Sequence, residues 1–233
     1  MIPFRDNIPS RSFPVINIAI ILTNILVFFY ELSLGRHLES FIMQYGIVPA
    51  AVSQWSQSDL PFSAVALPFL TSMFLHGGWL HLIGNMWYLW IFGDNIEDRL
   101  GHFGYSIFYL LCGLGAGIAH TTLNYDSTAP SIGASGAIAG VLGAYLVSYP
   151  FARVLTLVPI FVFLQVIEIP ALIVLGFWFL MQFLYGATAL ASATGNSGGV
   201  AWWAHVGGFI VGMILVSLFP SKDRPKYDYN WRS

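Results

Sequence analysis

A small set of neutral polar residues in this sequence could support nucleophilic chemistry. Ser135 stands in the run GASG, and His205 stands in the run WAHVGG. A serine hydroxyl becomes a useful nucleophile when a base accepts its proton, and a neutral histidine is the usual base. His81 and Asn85 are four residues apart, so in a helix they lie on one face. Both side chains could donate hydrogen bonds to the negative oxygen of a tetrahedral intermediate.

The composition limits which kind of protein can present these residues. The chain of 233 residues has 9 Lys+Arg and 11 Asp+Glu, so 9% of it is charged, and 57% is hydrophobic. Soluble domains carry about 25% charged residues. The composition therefore excludes a soluble domain, a disordered chain and a nucleic-acid-binding protein. A disulfide scaffold is excluded because Cys112 is the only cysteine. We predict an all-α, polytopic membrane protein.

Apolar runs predict six membrane-spanning helices. A hydrocarbon core about 30 Å thick needs roughly 20 helical residues to cross it. We expect the spans to form a single membrane domain over residues 1–233, with short tails at about 1–13 and 221–233. The predicted spans are Val15–Leu34, Gly78–Phe92 with an extension toward Ile96, Phe103–Leu123, Ile132–Tyr149, Ile169–Leu190 and Val200–Phe219.

Two further segments join the predicted spans. Arg36–Pro68 is polar to mixed in character, and we expect a structured loop at the membrane interface. Arg153–Glu168 is apolar but short, and it contains Pro159. This second segment is either a re-entrant or interfacial piece or a seventh span.

The distribution of basic residues predicts the orientation, because cytoplasmic loops are enriched in Lys and Arg. Six spans leave only Arg36 on the outer side and eight of the nine basic residues on the inner side. We therefore expect a multi-pass protein of a cell membrane, a prokaryotic plasma membrane, with both termini in the cytoplasm. The eight residues are Arg5, Arg11, Arg99, Arg153, Lys222, Arg224, Lys226 and Arg232.

This topology places the polar residues at one depth. With the N-terminus inside, the second, fourth and sixth helices all descend from the outer face. His81 and Asn85, Ser135, and His205 lie near the starts of these three helices, so all belong to the outer part of the membrane. A serine at a helix N-terminus has free backbone N–H groups nearby, which also suit an oxyanion. No acid is available to orient His205, so we expect a dyad rather than a triad.

Each of these residues also has a structural explanation, and other functions compete with nucleophilic catalysis. No charged residue lies in the middle of a predicted span, which argues against ion-coupled carriers. Taken alone, Ser135 could serve helix packing, Asn85 an interhelical hydrogen bond and each histidine a structural role. His76 and His120 are expected at the interface. A metal site of His76, His81 and His205 is an alternative, but it lacks carboxylate or thiolate ligands.

Paired glycines predict close helix packing. Small residues four apart let membrane helices approach closely where lipid provides no hydrophobic drive for association. Three predicted spans carry such a pair, which indicates a tight bundle. The pairs are Gly113 and Gly117, Gly136 and Gly140, and Gly208 and Gly212.

These motifs together resemble the rhomboid family of intramembrane serine proteases. The matching text is HGGWLHLIGN at residues 76–85, EDRLG at 97–101, GASG at 133–136 and H-x-x-G-x-x-x-G from His205 to Gly212. The resemblance implies a six-helix core with Ser135 as nucleophile and His205 as general base. It also implies an oxyanion hole made by the Ser135 backbone N–H with the side chains of His81 and Asn85.

The resemblance further implies a partner and a mode of action. Substrates would be membrane-anchored proteins whose transmembrane segments unwind near the cut, in a water-filled cavity open to the outside. No metal or organic cofactor is expected. The alternative is a catalytically inactive relative that binds or escorts membrane proteins. By analogy alone, the bulky fifth helix is a plausible substrate gate; its large side chains are Trp178, Phe179, Met181 and Phe183.

The sequence departs from the family pattern at two places. Many relatives carry a Trp-Arg pair in the first outer loop, whereas here Trp55 is followed by Ser56. Some relatives have a tyrosine one turn after the serine that stacks on the base, and here that position is Ala139. The residue that orients His205 is therefore open, and the neighbouring tryptophans at 202 and 203 are the candidates.

Overall fold

The computed structural model describes residues 1–160, 163–191 and 201–219, and most of these residues are helical. The predicted tail at 221–233, with its four basic residues, lies outside the described residues, as does the first residue of the sixth predicted span. The strands are β1 (Ile2–Asp6), β2 (Arg153–Ile160) and β3 (Phe163–Pro170). The helices are α1 (Val15–Ser33), α2 (Leu38–Tyr45), α3 (Pro49–Ser53), α4 (Phe62–Ala66), α5 (Pro68–Thr71), α6 (Trp79–Leu123), α7 (Ser135–Ser148), α8 (Ala171–Ala191) and α9 (Trp202–Leu218).

Three of the described helices are long and apolar enough to cross a membrane: α1, α6 and the segment Ala171–Ala189 of α8. Helix α6 has 45 residues. If straight, it would be about 68 Å long, more than twice the thickness of a hydrocarbon core. Its backbone leaves helical geometry at Gly101, where φ is +74°, a conformation that glycine adopts readily. Helix α6 thus consists of two halves, which contain the second and third predicted spans.

The EDRLG motif joins α1 to the break in α6. The carboxylate of Glu97 accepts the backbone N–H groups of Ile16 at 3.0 Å and Asn17 at 2.7 Å. These N–H groups belong to the first turn of α1, where backbone N–H groups have no carbonyl partners within the helix. The carboxylate of Asp98 accepts the hydroxyl of Ser12 at 2.7 Å. Charged residues of the EDRLG motif in α6 therefore cap the N-terminal end of α1, next to the Gly101 turn.

The described residues of Arg153–Glu168 form two paired strands, here called the hairpin, so the seventh-span alternative is wrong. Strands β2 and β3 pair antiparallel, and β1 pairs antiparallel with β2. This three-stranded sheet also corrects the all-α class and shows that the predicted tail at 1–13 contains a strand. The physical reason lies in β2, where β-branched residues alternate with others. Val154 and Thr156 are fully buried, whereas Arg153 is exposed, a period that suits a half-buried strand.

The sheet and the Gly101 turn lie at the same end of the bundle. Ser10 donates a hydrogen bond to Asp94 of α6, close to the turn, and Phe219 after α9 packs edge-on against Phe108. Since β1 and the hairpin are joined to this end, the described basic residues at 5, 11, 99 and 153 gather there. Arg36 follows the opposite end of α1. The predicted loop 36–68 is structured at that opposite end, as the short helices α2 to α4.

Helices α7 and α9 pack with their backbones in contact. A Cβ atom on Gly208 would lie 2.0 Å from the carbonyl oxygen of Gly136. A Cβ atom on Gly212 would lie 1.9 Å from the carbonyl oxygen of Gly140. No side chain fits at such distances, so these two predicted pairs face each other. The third pair, on α6, packs instead against side chains that precede α6, namely Ile47, Phe69 and Met73.

The α7–α9 contact predicts that Gly212→Ala will destabilise the folded protein by about 1–3 kcal/mol, because the added methyl must push the backbones apart. Thermal unfolding in detergent micelles measures the change. Gly176→Ala in α8 is the matched control, since nothing in the described part of the chain lies within 4 Å of its Cβ position. That variant should be neutral or gain up to about 1 kcal/mol from helix propensity. Equal stability of both variants would contradict the contact.

A partly buried carboxyl joins the sheet to the bundle and predicts a pH dependence. Asp6 of β1 accepts a hydrogen bond from the hydroxyl of Tyr145 in α7. Burial raises the pKa of Asp6 to about 7. The folded state therefore favours the protonated acid, and stability should fall as the pH rises from about 4 toward 7.

Thermal unfolding of wild type and Asp6→Asn across this pH range tests that expectation. The asparagine variant should show a smaller decline, because it cannot ionise. Parallel pH profiles for the two proteins would show that Asp6 does not cause the dependence.

Candidate active site

The four residues singled out from the sequence line one cavity. Ser135, His205, His81 and Asn85 all face a space of about 570 Å³. Side chains of α6, α7, α8 and α9 contribute to its wall. The cavity lies toward the end of the bundle opposite the sheet, beside the chain that enters α6 and α7.

Ser135 is the first residue of α7, and the turn before it depends on Gly133. The φ angle of Gly133 is +125°, which L side chains rarely adopt. Its N–H donates to the carbonyl oxygen of Ser72 at 2.8 Å. A Cβ atom at Gly133 would lie 2.7 Å from Nε2 of His81. Glycine at this position thus allows the serine turn to approach His81 closely.

Ser135 and His205 form a hydrogen-bonded pair. The distance from Ser135 Oγ to His205 Nε2 is 2.7 Å, across 70 residues of sequence. His205 is only 8% exposed. The pair exists because the glycine contact of α7 with α9 brings the starts of both helices together. A neutral imidazole with a free lone pair on Nε2 can accept the serine proton in this geometry.

The other ring nitrogen of His205 contacts a residue that the sequence analysis missed. His205 Nδ1 lies 2.7 Å from Oε1 of Gln182 on α8. A carbonyl oxygen only accepts hydrogen bonds, so Nδ1 carries the proton in this arrangement and Nε2 is left as the acceptor. Gln182 is the only amide in the predicted fifth span, and that isolation is the signal that could have identified it.

Aromatic rings also surround His205. The ring centroid of Trp178 lies 5.9 Å from that of His205, and the centroid of Trp202 lies 6.2 Å away at right angles. Of the two candidates from the sequence, Trp202 therefore lies against the His205 ring. Trp203 packs against Phe183 instead.

His81 is oriented as a hydrogen-bond donor toward the serine turn. The backbone N–H of Gly77 points at His81 Nδ1 from 3.4 Å, a long hydrogen bond. With Nδ1 accepting, the ring proton resides on Nε2, the atom that faces Gly133. An Nε2–H group in this place can donate to a negative oxygen formed near Ser135.

Asn85 is held by His76, which lies behind the cavity wall. Asn85 Nδ2 lies 2.9 Å from His76 Nε2. Burial lowers the pKa of His76 to about 4, so its ring is neutral and Nε2 can accept from the amide. An amide nitrogen has two hydrogens, which leaves a second one for a cavity ligand.

His76, which is expected at the membrane interface, is buried inside the protein and is only 2% exposed. Its backbone N–H donates to the carboxylate of Glu31 at 3.1 Å. His76 thus links α1 to the cavity wall. The sequence alone does not indicate this contact, because Glu31 and His76 are distant in the chain. His120, also expected at the interface, does not line the cavity.

The metal-site alternative has no geometric support. Among the residues that the structure describes, no group of three or more His, Cys, Asp or Glu side chains is arranged to hold a metal ion. The rings of His76 and His81 meet edge-on at 5.1 Å. His205 instead directs its two nitrogens at Ser135 and Gln182.

Comparisons with known proteins agree on one family. The family model described as the Rhomboid domain matches residues 64–222. Rhomboid-like protein 11, chloroplastic, from Arabidopsis thaliana is 32% identical over 66% of this chain and 53% of its own length. Rhomboid protein 1, mitochondrial, from Saccharomyces cerevisiae is 30% identical over 68% of this chain and 42% of its own length.

A further match is the bovine presenilin-associated rhomboid-like protein, mitochondrial, which is 35% identical over 41% of this chain and 26% of its own length. The chain thus spans about half or less of the length of these curated relatives. The family model nevertheless covers more than half of the chain, including every residue of the cavity described above. This chain, a membrane protein, belongs to the rhomboid family.

Proposed function

We propose that this protein is a serine endopeptidase that cleaves transmembrane segments of membrane-anchored proteins within the bilayer. One observation carries the proposal: Ser135 Oγ and His205 Nε2 are 2.7 Å apart in a cavity that His81 and Asn85 also line. A nucleophile, a base and oxyanion donors in one cavity are the parts that acyl transfer requires. Membership of the rhomboid family supports the same reaction class.

The reaction proceeds by two acyl-transfer steps. Ser135 Oγ attacks the scissile carbonyl carbon while Nε2 of His205 takes the hydroxyl proton. The negative oxygen that forms is stabilised by the Ser135 backbone N–H and by the side chains of His81 and Asn85. The C–N bond then breaks, and the imidazolium gives its proton to the leaving amine. Water, deprotonated by His205, cleaves the acyl-enzyme to a carboxylate and restores Ser135.

The membrane topology that we propose has six spans. The two halves of α6 count separately, and α1, α7, α8 and α9 supply the rest. Helix α7 has only 14 residues, about 21 Å, so Ser135 at its start lies below the membrane surface. Irregular backbone at that depth is tolerated where it lines a water-filled cavity, and hydrolysis needs the water.

The orientation follows from the described basic residues at the sheet end of the bundle. The positive-inside rule assigns that end to the cytoplasm, so the cavity opens on the outer side. The names of the relatives place them in chloroplasts and mitochondria. They give no support to a prokaryotic plasma membrane, and the proposal is of a multi-pass membrane protein with both termini on the basic side.

An inactive relative that binds or escorts membrane proteins is the competing interpretation. Such relatives typically lose the serine or the histidine. This chain retains Ser135 and His205, and they are hydrogen bonded. That pair favours the enzyme over the binding protein.

Labelling with a serine-directed fluorophosphonate tests the proposal. Purified wild type should label and should cleave a model transmembrane substrate, whereas Ser135→Ala should do neither. His205→Ala should lose at least about 1,000-fold in cleavage rate while the protein stays folded, because the base is gone. In-gel fluorescence and cleavage rates measure these effects.

Matched controls separate loss of chemistry from loss of fold. Ser148→Ala lies at the other end of α7, and His37→Ala is exposed between α1 and α2. Both variants should label and cleave as wild type does. Wild type that neither labels nor cleaves would contradict the protease, and unaltered cleavage by His205→Ala would require a different base.

The oxyanion role of Asn85 gives a graded prediction. Asn85→Ala should lower kcat by about 10- to 1,000-fold with little change in KM, because the lost hydrogen bond strengthens only in the transition state. Cleavage is retained in part, since the other donors remain. A rise in KM with unchanged kcat would show that Asn85 binds the substrate and does not stabilise the oxyanion.

A further inference from the structure

We infer that Gln182 is the positioning residue for the base: its side-chain carbonyl holds the proton on Nδ1 of His205 and so aims the Nε2 lone pair at Ser135. The inference deepens the proposed function and rests on it. It answers the question that the missing acid and Ala139 left open, namely what orients His205. The geometry that carries it is the hydrogen bond of 2.7 Å between Gln182 Oε1 and His205 Nδ1.

The burial of Gln182 calls for an explanation that packing alone does not give. Gln182 is only 9% exposed and stands in a helix of otherwise apolar neighbours. Burying an amide is costly unless it is hydrogen bonded. A polar side chain inside a membrane span is by default a candidate functional residue. Here the amide oxygen meets the one side chain whose tautomer determines whether Ser135 can be deprotonated.

The tautomer argument makes the bond functionally specific. If the proton were on Nε2, His205 would donate to Ser135 Oγ and could not accept its proton. A hydrogen-bond acceptor at Nδ1 favours the productive tautomer, as the buried acid does in a Ser-His-Asp triad. A neutral amide achieves this without a charge, which suits a site where ionised groups are expensive.

Helix α8 contacts the base at two points one turn apart. Trp178 lies against the ring, and Gln182, four residues later, holds Nδ1. Residues at this spacing share one face of a helix. The ring carried by α9 is therefore oriented by α8 and directed at a serine on α7. Among the described residues, His81 and His120 of α6 interact electrostatically with His205, and the ring of Tyr185 in α8 lies tilted against that of the adjacent Trp202, with centroids 4.9 Å apart.

Two substitutions separate positioning from simple packing. Gln182→Met keeps the length of the side chain but removes the acceptor. Gln182→Glu keeps an acceptor and adds a negative charge, which favours the imidazolium. The measurements are kcat and KM for cleavage of the model transmembrane substrate as a function of pH, with thermal unfolding as the check of folding. Thr188→Val on α8 is the matched control, because its exposed hydroxyl donates within the helix, to the Tyr185 carbonyl.

The expected results differ for each variant. Gln182→Met should lose about 10- to 100-fold in kcat with KM nearly unchanged, since only the orientation of the base suffers. Gln182→Glu should recover most of this loss at alkaline pH. Its acid limb should move to higher pH by about one unit, because the base must be neutral to act. Thr188→Val should match wild type throughout.

Two results would overturn the inference alone. One is a folded Gln182→Met protein with the kcat and acid limb of active wild type. The other is a Gln182→Glu protein whose acid limb stays at the wild-type pH, and this variant decides the matter if the methionine variant does not fold. An absence of labelling and cleavage by wild type would instead overturn the proposed function and the inference together.

Discussion

The structure depends on the direct backbone contact between α7 and α9. Glycines on both helices lie so close that a single methyl group on Gly208 or Gly212 would overlap the carbonyl of the opposite helix. Van der Waals contact of this kind is what holds membrane helices together, since lipid provides no hydrophobic drive. The contact brings Ser135 and His205, each at the start of its helix, to hydrogen-bond distance. Helix packing thus creates the Ser135–His205 pair on which the proposed catalysis depends.

Hydrogen bonds between neutral groups orient the side chains of this site. Gln182 holds His205, and His76 holds Asn85. The carboxylate of Glu31 lies one step further out and binds the backbone of His76. Charges are costly in a bilayer, so a chain with 9% charged residues has few to use there. Four charged residues, Asp94, Glu97, Asp98 and Arg99, stand just before the Gly101 turn, where Glu97 caps α1.

Much of the site could be predicted from the sequence, because membrane topology converts sequence position into depth. Ser135, His205, His81 and Asn85 fall near the outer ends of three predicted helices, and the structure brings all four to one cavity. No comparable rule predicts which side chains of neighbouring helices contact each other. Gln182 was overlooked because its partner lies on another helix, at a register that only packing determines.

The sequence does not predict the hairpin, for a different reason. Arg153–Glu168 reads as a short apolar run, and short runs do not distinguish strand from helix. Its pairing with β1 joins segments about 150 residues apart, and no local pattern indicates such a contact. The break at Gly101 within α6, in contrast, agrees with the two separate spans predicted on either side of it.

A crystal structure of the protein after reaction with a fluorophosphonate would test the central claim most directly. The account predicts phosphorus bonded to Oγ of Ser135, with one phosphoryl oxygen within hydrogen-bond distance of the Ser135 backbone nitrogen and the side chains of His81 and Asn85. An adduct on another residue would contradict it. So would an adduct on Ser135 whose oxygens all point away from those donors.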